Sequence, residues 1–152
     1  MEEHLKMLTE IMDKRAPYIK RLYNEWREHG KLIIAVDFDD TISPWKMASL
    51  EQCNRVIEII RKAQETGALL TIHTACSPDR YDYVKNYCME RGLKVDSINK
   101  NAILLPYGND TKPYANIFID DRAGLEESLE ILQSAMYQIR GLKAGQQIDD
   151  IA

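Results

Sequence analysis

The chain has 152 residues, of which 45% are hydrophobic and 29% charged, and its formal net charge is -4 at pH 7. This size fits one domain with a sizeable core, and the acidic balance excludes a basic field for sequence-independent nucleic-acid binding. The three cysteines lack CxxC spacing, which argues against a disulfide framework or a zinc site. The sequence shows neither a signal peptide nor a long apolar run, which predicts a soluble cytoplasmic protein with no membrane partner.

The N-terminal segment has the periodicity of an amphipathic helix. Its apolar residues recur at threes and fours over residues 2–29, and they are Leu5, Leu8, Met12, Ile19, Leu22 and Trp26. We expect Pro17 to divide or kink this helix and Gly30 to end it. Residues 1–30 thus form a helical extension that packs on the core or, alternatively, makes a homodimer contact.

Short apolar runs alternate with helical patterns along the rest of the chain. The predicted elements are a strand at 32–38, a helix at 47–66, a strand at 68–74, a helix at 79–91, a short strand at 94–98, a small strand or hairpin arm at 103–105, a turn at 108–110, a strand at 116–120 and a helix at 123–140. This alternation predicts an α/β fold, a Rossmann-like three-layer sandwich with a mainly parallel sheet. The core is expected over residues 31–140, followed by a polar tail at 141–152.

Two acidic clusters follow two of the predicted strands. Asp37 and Asp39 close the first strand, and Asp120 and Asp121 close the last. Ligands gather beyond the carboxyl ends of parallel strands, so adjacent strands would bring these carboxylates to one crevice. Such a cluster favours a hard divalent cation, Mg²⁺ by preference, with a phosphate as companion ligand. The alternative is that each cluster only caps a turn or a helix N-terminus.

The pair Asp37 and Asp39 suits phosphate ester hydrolysis. One aspartate can attack phosphorus while the other protonates the leaving oxygen and then activates water. Thr74, at the end of the second strand, could donate to a phosphate oxygen; the alternative is an ordinary strand threonine with good β propensity. Lys112 could offset phosphoryl charge, with Lys100 as its rival; a loop lysine is otherwise simply solvated.

Four parts of the sequence, in this order, resemble the motifs of the haloacid dehalogenase superfamily of phosphohydrolases. They are Asp37-Phe38-Asp39-Asp40-Thr41, Thr74, Lys112 and Asp120-Asp121. The resemblance covers roughly residues 31–140. Asp40 stands where the family frequently has glycine.

The resemblance implies a role for each matched residue. It makes Asp37 the nucleophile, which also ligates Mg²⁺, and Asp39 the general acid and base, which also ligates Mg²⁺ through its backbone carbonyl. Asp120 and Asp121 would be the metal carboxylates. Thr74 and Lys112 would bind phosphate.

The substrate expectation also comes from the resemblance. The segment Ile119-Asp120-Asp121-Arg122, at the end of the last predicted strand, is similar to the corresponding segment of small phage and bacterial members of the superfamily. It is also similar to that of deoxyribonucleotidases and of polynucleotide 3′-phosphatase domains. It implies a phosphorylated small molecule, such as a nucleotide, or a nucleic-acid end as substrate.

The spacing between the motifs leaves no room for the family's cap domain, so we expect an open site. Trp45 is a candidate for stacking on a base; the alternative is that its ring closes the core. Arg80 is a candidate for binding a second phosphate; the alternative is an ordinary solvated arginine on the surface.

The leading hypothesis is therefore a Mg²⁺-dependent phosphomonoester hydrolase that acts through an aspartyl-phosphate. One alternative is a catalytically silent binding or scaffold protein with the same fold. A phosphoacceptor signalling domain is another, because it also uses Asp, Mg²⁺, Thr and Lys.

Overall fold

The computed structural model describes residues 1–106 and 113–143, without the side chains of residues 11–13. Helices and strands alternate as expected. The elements are α1 (Glu2–His29), β1 (Leu32–Asp37), α2 (Leu50–Glu65), β2 (Ala68–His73), a 3₁₀ turn (Pro78–Arg80), α3 (Tyr81–Glu90), β3 (Ser97–Ile98), β4 (Ile117–Ile119) and α4 (Leu125–Lys143).

The four strands form one parallel sheet in the order β3-β2-β1-β4. The longest strands, β1 and β2, lie in the middle, and β1 pairs Val36 with Ile119 of β4. The expected Rossmann-like α/β architecture is confirmed. Between β1 and β2 the chain contains a single helix, and the described part of the connection from β2 to β4 contains no cap domain.

The main core lies between one face of the sheet and the helices. Leu32, Ile34 and Val36 of β1 are buried in it together with residues from all four helices. The opposite face carries Ile33, which lines a cavity of about 340 Å³ with Ile103 and other residues of the connection between β3 and β4. Described residues of this connection therefore lie near Ile33 on this face of the sheet.

Helix α1 belongs partly to this core. Leu22 and Trp26 are buried, so the C-terminal half of α1 is an integral part of the domain. Leu5 and Leu8 near its start are 59% and 43% exposed. Pro17 does not divide the helix, because α1 runs through it, and a kink at Pro17 stays a prediction. Pro17 itself is exposed.

Several predicted boundaries shift. Ser49 caps α2 by accepting the N–H of Gln52 at 3.1 Å, so α2 begins at Leu50. The strand expected at 94–98 contracts to two residues, because the Asp96 carboxylate accepts the Leu70 N–H at 2.8 Å in place of a longer backbone ladder.

Near the C-terminus, two further differences appear. Residues 103–105 form no strand, and α4 extends to Lys143 into the predicted tail. The turn predicted at 108–110 and the tail from 144 onward lie outside the described residues. No helix in the described part of the chain is long and apolar enough to cross a bilayer.

Candidate metal centre and phosphate site

Three carboxylates meet at the carboxyl edge of the sheet. Asp37 ends β1, and Asp120 and Asp121 directly follow β4. One oxygen from each of the three lies within 4.8 Å of one from each of the others. We call Asp37, Asp120 and Asp121 the acidic cluster. The pairing of β1 with β4 in one parallel sheet is what brings together residues more than eighty positions apart.

The negative charge of this cluster is poorly compensated. Burial, hydrogen bonding with the Asp121 carboxyl group and the charge of Asp120 raise the pKa of Asp37 to about 7, against the opposing effect of the Thr41 hydroxyl. No ion pair joins the cluster to Lys or Arg within residues 1–106 and 113–143. A site of this kind favours a bound cation, which would stabilise the ionised form of Asp37.

The Thr41 hydroxyl links the two sides of the cluster. It accepts the backbone N–H of Asp121 at 3.1 Å, and its single proton faces Asp37 Oδ2 at 3.0 Å and Asp121 Oδ1 at 3.2 Å. It can donate to only one of these oxygens at a time. Thr41 is fully buried, so it fixes the loop after β1 against the end of β4.

The backbone after β1 turns sharply to present these side chains. The carbonyl of Phe38 accepts the N–H groups of Thr41, Ile42 and Ser43. Asp40, at the position where the resembling family frequently has glycine, has φ 62. This is the left-handed region that glycine occupies freely and that Asp tolerates better than most residues, so the departure from glycine is compatible with the turn.

The Asp40 side chain organises the next loop. Its Oδ1 accepts the N–H groups of Trp45 and Lys46 at 2.9 Å each, and those of Met47 and Ala48 at 3.1 Å each. Burial by itself would raise the pKa of Asp40, but these four N–H donors lower it to about 2. We call residues 45–48 the Trp45 loop. The carboxylate occupies a concave arrangement of N–H groups of the kind that binds anions.

A cavity of about 260 Å³ opens over the acidic cluster. Its lining comes from the ends of β1, β2 and β4 and the loops that follow them: Asp37, Asp39, Asp40, Trp45, Ala75, Asp120, Asp121 and Arg122. Asp39 therefore reaches the same cavity, while its carboxylate lies outside the group that forms the acidic cluster. Asp37 and Asp39 therefore share one cavity, but only Asp37 belongs to the acidic cluster.

The other predicted site residues have mixed outcomes. Thr74 follows β2, and its hydroxyl accepts the Cys76 N–H at 3.3 Å, but the cavity is lined by its neighbour Ala75. Arg80 lies near the Tyr83 ring, 5.5 Å from its centroid, and does not line this cavity. Thr74 and Arg80 thus remain predictions as phosphate ligands.

The choice between the two lysines stays open. Lys112 lies outside the described residues. Lys100 has an exposed side chain, while its carbonyl accepts the hydroxyl groups of Thr71 and Ser97. Lys100 does not line the cavity over the cluster.

Sequence reasoning missed two residues of the site. Arg122 lines the cavity, and its backbone N–H donates to Asp120 Oδ1 at 2.9 Å, whereas the sequence motif assigns it no role. The motif likewise assigns no role to Thr41. The signal was present in both cases, because each directly follows or closes an acidic motif.

The donor set fits Mg²⁺. Asp37, Asp120 and Asp121 offer oxygen atoms only, at mutual distances that one ion could bridge, and hard cations prefer such ligands. Burial, the hydrogen bond with Asp121 and the charge of Asp120 raise the pKa of Asp37, and a cation bound beside it would offset the burial and the repulsion.

Comparisons with known proteins bear on the fold. No protein-family model matches the sequence, and no curated protein matches it. A solved structure of a conserved protein from Bacteroides thetaiotaomicron is similar, with a TM-score of 0.53 and 25% sequence identity over 80% of this chain and 97% of that chain. This similarity supports the α/β architecture.

Proposed function

We propose that the chain is a Mg²⁺-dependent phosphomonoester hydrolase of the haloacid dehalogenase type, acting through an aspartyl-phosphate. The observation that carries the proposal is the acidic cluster at the carboxyl edge of β1 and β4, with Asp39 lining the same cavity. Mg²⁺ held by the cluster would neutralise charge on the phosphate and on the carboxylates.

The chain's own residues would divide the reaction between them. An oxygen of Asp37 attacks phosphorus, the bond to the ester oxygen breaks, and Asp39 gives that oxygen its proton. Asp39 then takes a proton from water, which attacks the aspartyl-phosphate and releases inorganic phosphate. The Thr41 hydroxyl, 3.0 Å from Asp37 Oδ2, would help to orient the Asp37 carboxylate, and Arg122 offers positive charge at the cavity.

Phosphate release is the direct test. The full chain is assayed with Mg²⁺ on nucleoside monophosphates, phosphorylated DNA ends and sugar phosphates, beside Asp37→Asn and Asp120→Asn. Asp82→Asn is a matched control, because Asp82 is an exposed acid in the first turn of α3. We expect turnover in the wild type and the control, and its loss in Asp37→Asn by roughly a thousandfold or more.

The same experiment separates the alternatives. Retained activity in Asp37→Asn would refute its role as nucleophile. Phosphorylation without turnover would favour a phosphoacceptor domain, and silence on every substrate would favour a binding or scaffold protein.

We also propose a cytoplasmic location. Cys53 and Cys88 are buried thiols and Cys76 is half-buried, and all three are unpaired with one another. Reduced cysteines are typical of the cytoplasm.

A further inference from the structure

The Trp45 loop is fixed before any ligand arrives. Four of its backbone N–H groups converge on one oxygen of Asp40, and Asp40 is only 7% exposed. The loop backbone is thereby tied to the residue that follows Asp39 in the chain. A change in Asp40 would therefore be felt at Trp45, although the two side chains have different roles.

Trp45 is an exposed indole at the candidate active site. It lines the same cavity as the acidic cluster, yet its exposed fraction is 62%. The other tryptophan, Trp26, is 1% exposed, as expected of a core residue. Trp45 therefore does not close the core, and its apolar ring is open beside the site.

The neighbouring charges suit a planar ligand. The Lys46 ammonium lies 4.2 Å from the centroid of the Trp45 ring, and Arg122 lines the same cavity. The ammonium lies over one face of the indole, so an aromatic group would stack on the other face of this largely exposed ring. A phosphate ester held at the acidic cluster brings its alcohol part within reach of Trp45, because both line one cavity.

We propose that Trp45 recognises a planar aromatic ring in the alcohol part of the phosphate ester, and that Asp40 is the positioning residue that holds Trp45 in place. The substrate class is then a phosphomonoester with an aromatic ring, such as a nucleoside monophosphate. This proposal rests on the proposed function and adds its substrate preference.

The test compares two esters that differ in the ring. Thymidine 5′-monophosphate has one and glycerol 1-phosphate has none, and the measured quantity is the ratio of their kcat/KM values. Trp45→Ala should lower this ratio by roughly tenfold, the scale of one stacking contact, and Trp45→Phe should recover part of it. Met47→Ala is the matched control, because Met47 is an 88% exposed side chain in the same loop, and it should not change the ratio.

Asp40 is tested through Trp45. Glycine adopts φ 62 without strain, but Asp40→Gly removes the carboxylate that accepts the N–H groups of the Trp45 loop. It should therefore lower the ratio of the two kcat/KM values as Trp45→Ala does. The double variant should fall no further than either single variant, because both remove the same contact. Asp40→Asn keeps an acceptor oxygen and tolerates this φ, and it should recover part of the ratio even if Asp40→Gly fails to fold. Equal losses on both esters, or independent effects of the two residues on the ratio, would overturn the proposal.

Fluorescence gives a readout that needs no turnover. In Asp37→Asn with Mg²⁺, thymidine 5′-monophosphate should change the tryptophan emission, glycerol 1-phosphate should not, and Trp45→Phe should abolish the change. A fluorescence change without hydrolysis in the wild type would support recognition and contradict the proposed function. Hydrolysis with no fluorescence change would support the function and overturn the recognition proposal.

Discussion

The Thr41 hydroxyl accepts the backbone N–H of Asp121 at 3.1 Å, which joins the loop after β1 to the end of β4. The same oxygen lies 3.0 Å from Asp37 Oδ2. Because Thr41 is fully buried, water cannot replace these hydrogen bonds. The geometry of the acidic cluster therefore depends on one side chain that is not itself an acid.

We expect Thr41→Val to lower kcat/KM for phosphate ester hydrolysis. Valine preserves the shape of threonine but leaves the Asp121 N–H and the Asp37 carboxylate without this partner, and the loss should be about 10- to 100-fold, the scale of one hydrogen bond to a charged group. Thr41→Ser keeps the hydroxyl and should retain most of the activity. Steady-state kinetics on both variants test this; equal activity in Thr41→Val and the wild type would show that the hydroxyl has no such role.

The metal-free protein should lose stability as pH rises. The pKa of Asp37 is about 7 in the fold and 3.8 as its ordinary value, so the folded state holds its proton more tightly than the unfolded state. This contribution to the free energy of unfolding is present below pH 3.8 and is lost as pH rises through about 7. Thermal melting in EDTA between pH 5 and pH 8 measures it.

Two additions sharpen this melting experiment. Asp37→Asn should flatten the dependence on pH, because it removes the titrating group. Mg²⁺ should raise the wild-type melting temperature more at pH 8 than at pH 5, since Asp37 is ionised at the higher pH. A melting temperature of the metal-free wild type that is constant across this range would contradict the prediction.

Arg122 should contribute to substrate binding through its charge. It is exposed and lines the cavity, so Arg122→Ala should raise KM for a phosphate ester by roughly fivefold, and added salt should reduce the difference from the wild type. Arg122→Lys should recover part of the affinity. Kinetics at two ionic strengths check this, and an effect on kcat alone would speak against a binding role.

Trp26 should be essential for stability although it lies in the N-terminal helix. It is 1% exposed within the main core, so Trp26→Ala should lower the free energy of unfolding by about 3–5 kcal/mol. Lys6→Ala, near the start of the same helix, is the control, because Lys6 is exposed, and it should change this free energy by less than about 0.5 kcal/mol. Urea denaturation compares the two, and a small loss in Trp26→Ala would mean that the helix is dispensable.

We propose that the first part of α1 makes a homodimer contact. Leu5, Met7 and Leu8 are 59%, 49% and 43% exposed, and exposed apolar residues on a helix favour self-association. Sedimentation at several concentrations should show a dimer that the double variant Leu5→Glu/Leu8→Glu disrupts and Lys6→Glu does not. A monomer at every concentration would disprove the contact.

Local signals were sufficient to predict most of the fold. The apolar runs predicted β1 and β2, and Gly30 ends α1 with φ 69, as its position indicated. The boundaries that failed depend on distant partners. Asp96 replaces part of a strand by bonding Leu70 across the sheet, and no periodicity of the sequence reports such a contact.

The candidate site likewise has one part that the sequence predicts and another part that it does not. Asp37, Asp120 and Asp121 could be predicted to meet, because the carboxyl ends of adjacent parallel strands share an edge. The hydrogen bonds from the Trp45 loop to Asp40 depend on the path of the backbone after β1. No sequence pattern indicates that path.

The arrangement of long and short strands also bears on how copies of the protein behave when crowded. The edges of the sheet are β3, with two residues, and β4, with three. Edges this short present few free N–H and C=O groups on which a strand from another molecule could build. In the described residues these short strands pair with the C-terminal parts of the long strands β1 and β2, so we expect the sheet to resist edge-to-edge aggregation even in concentrated solution.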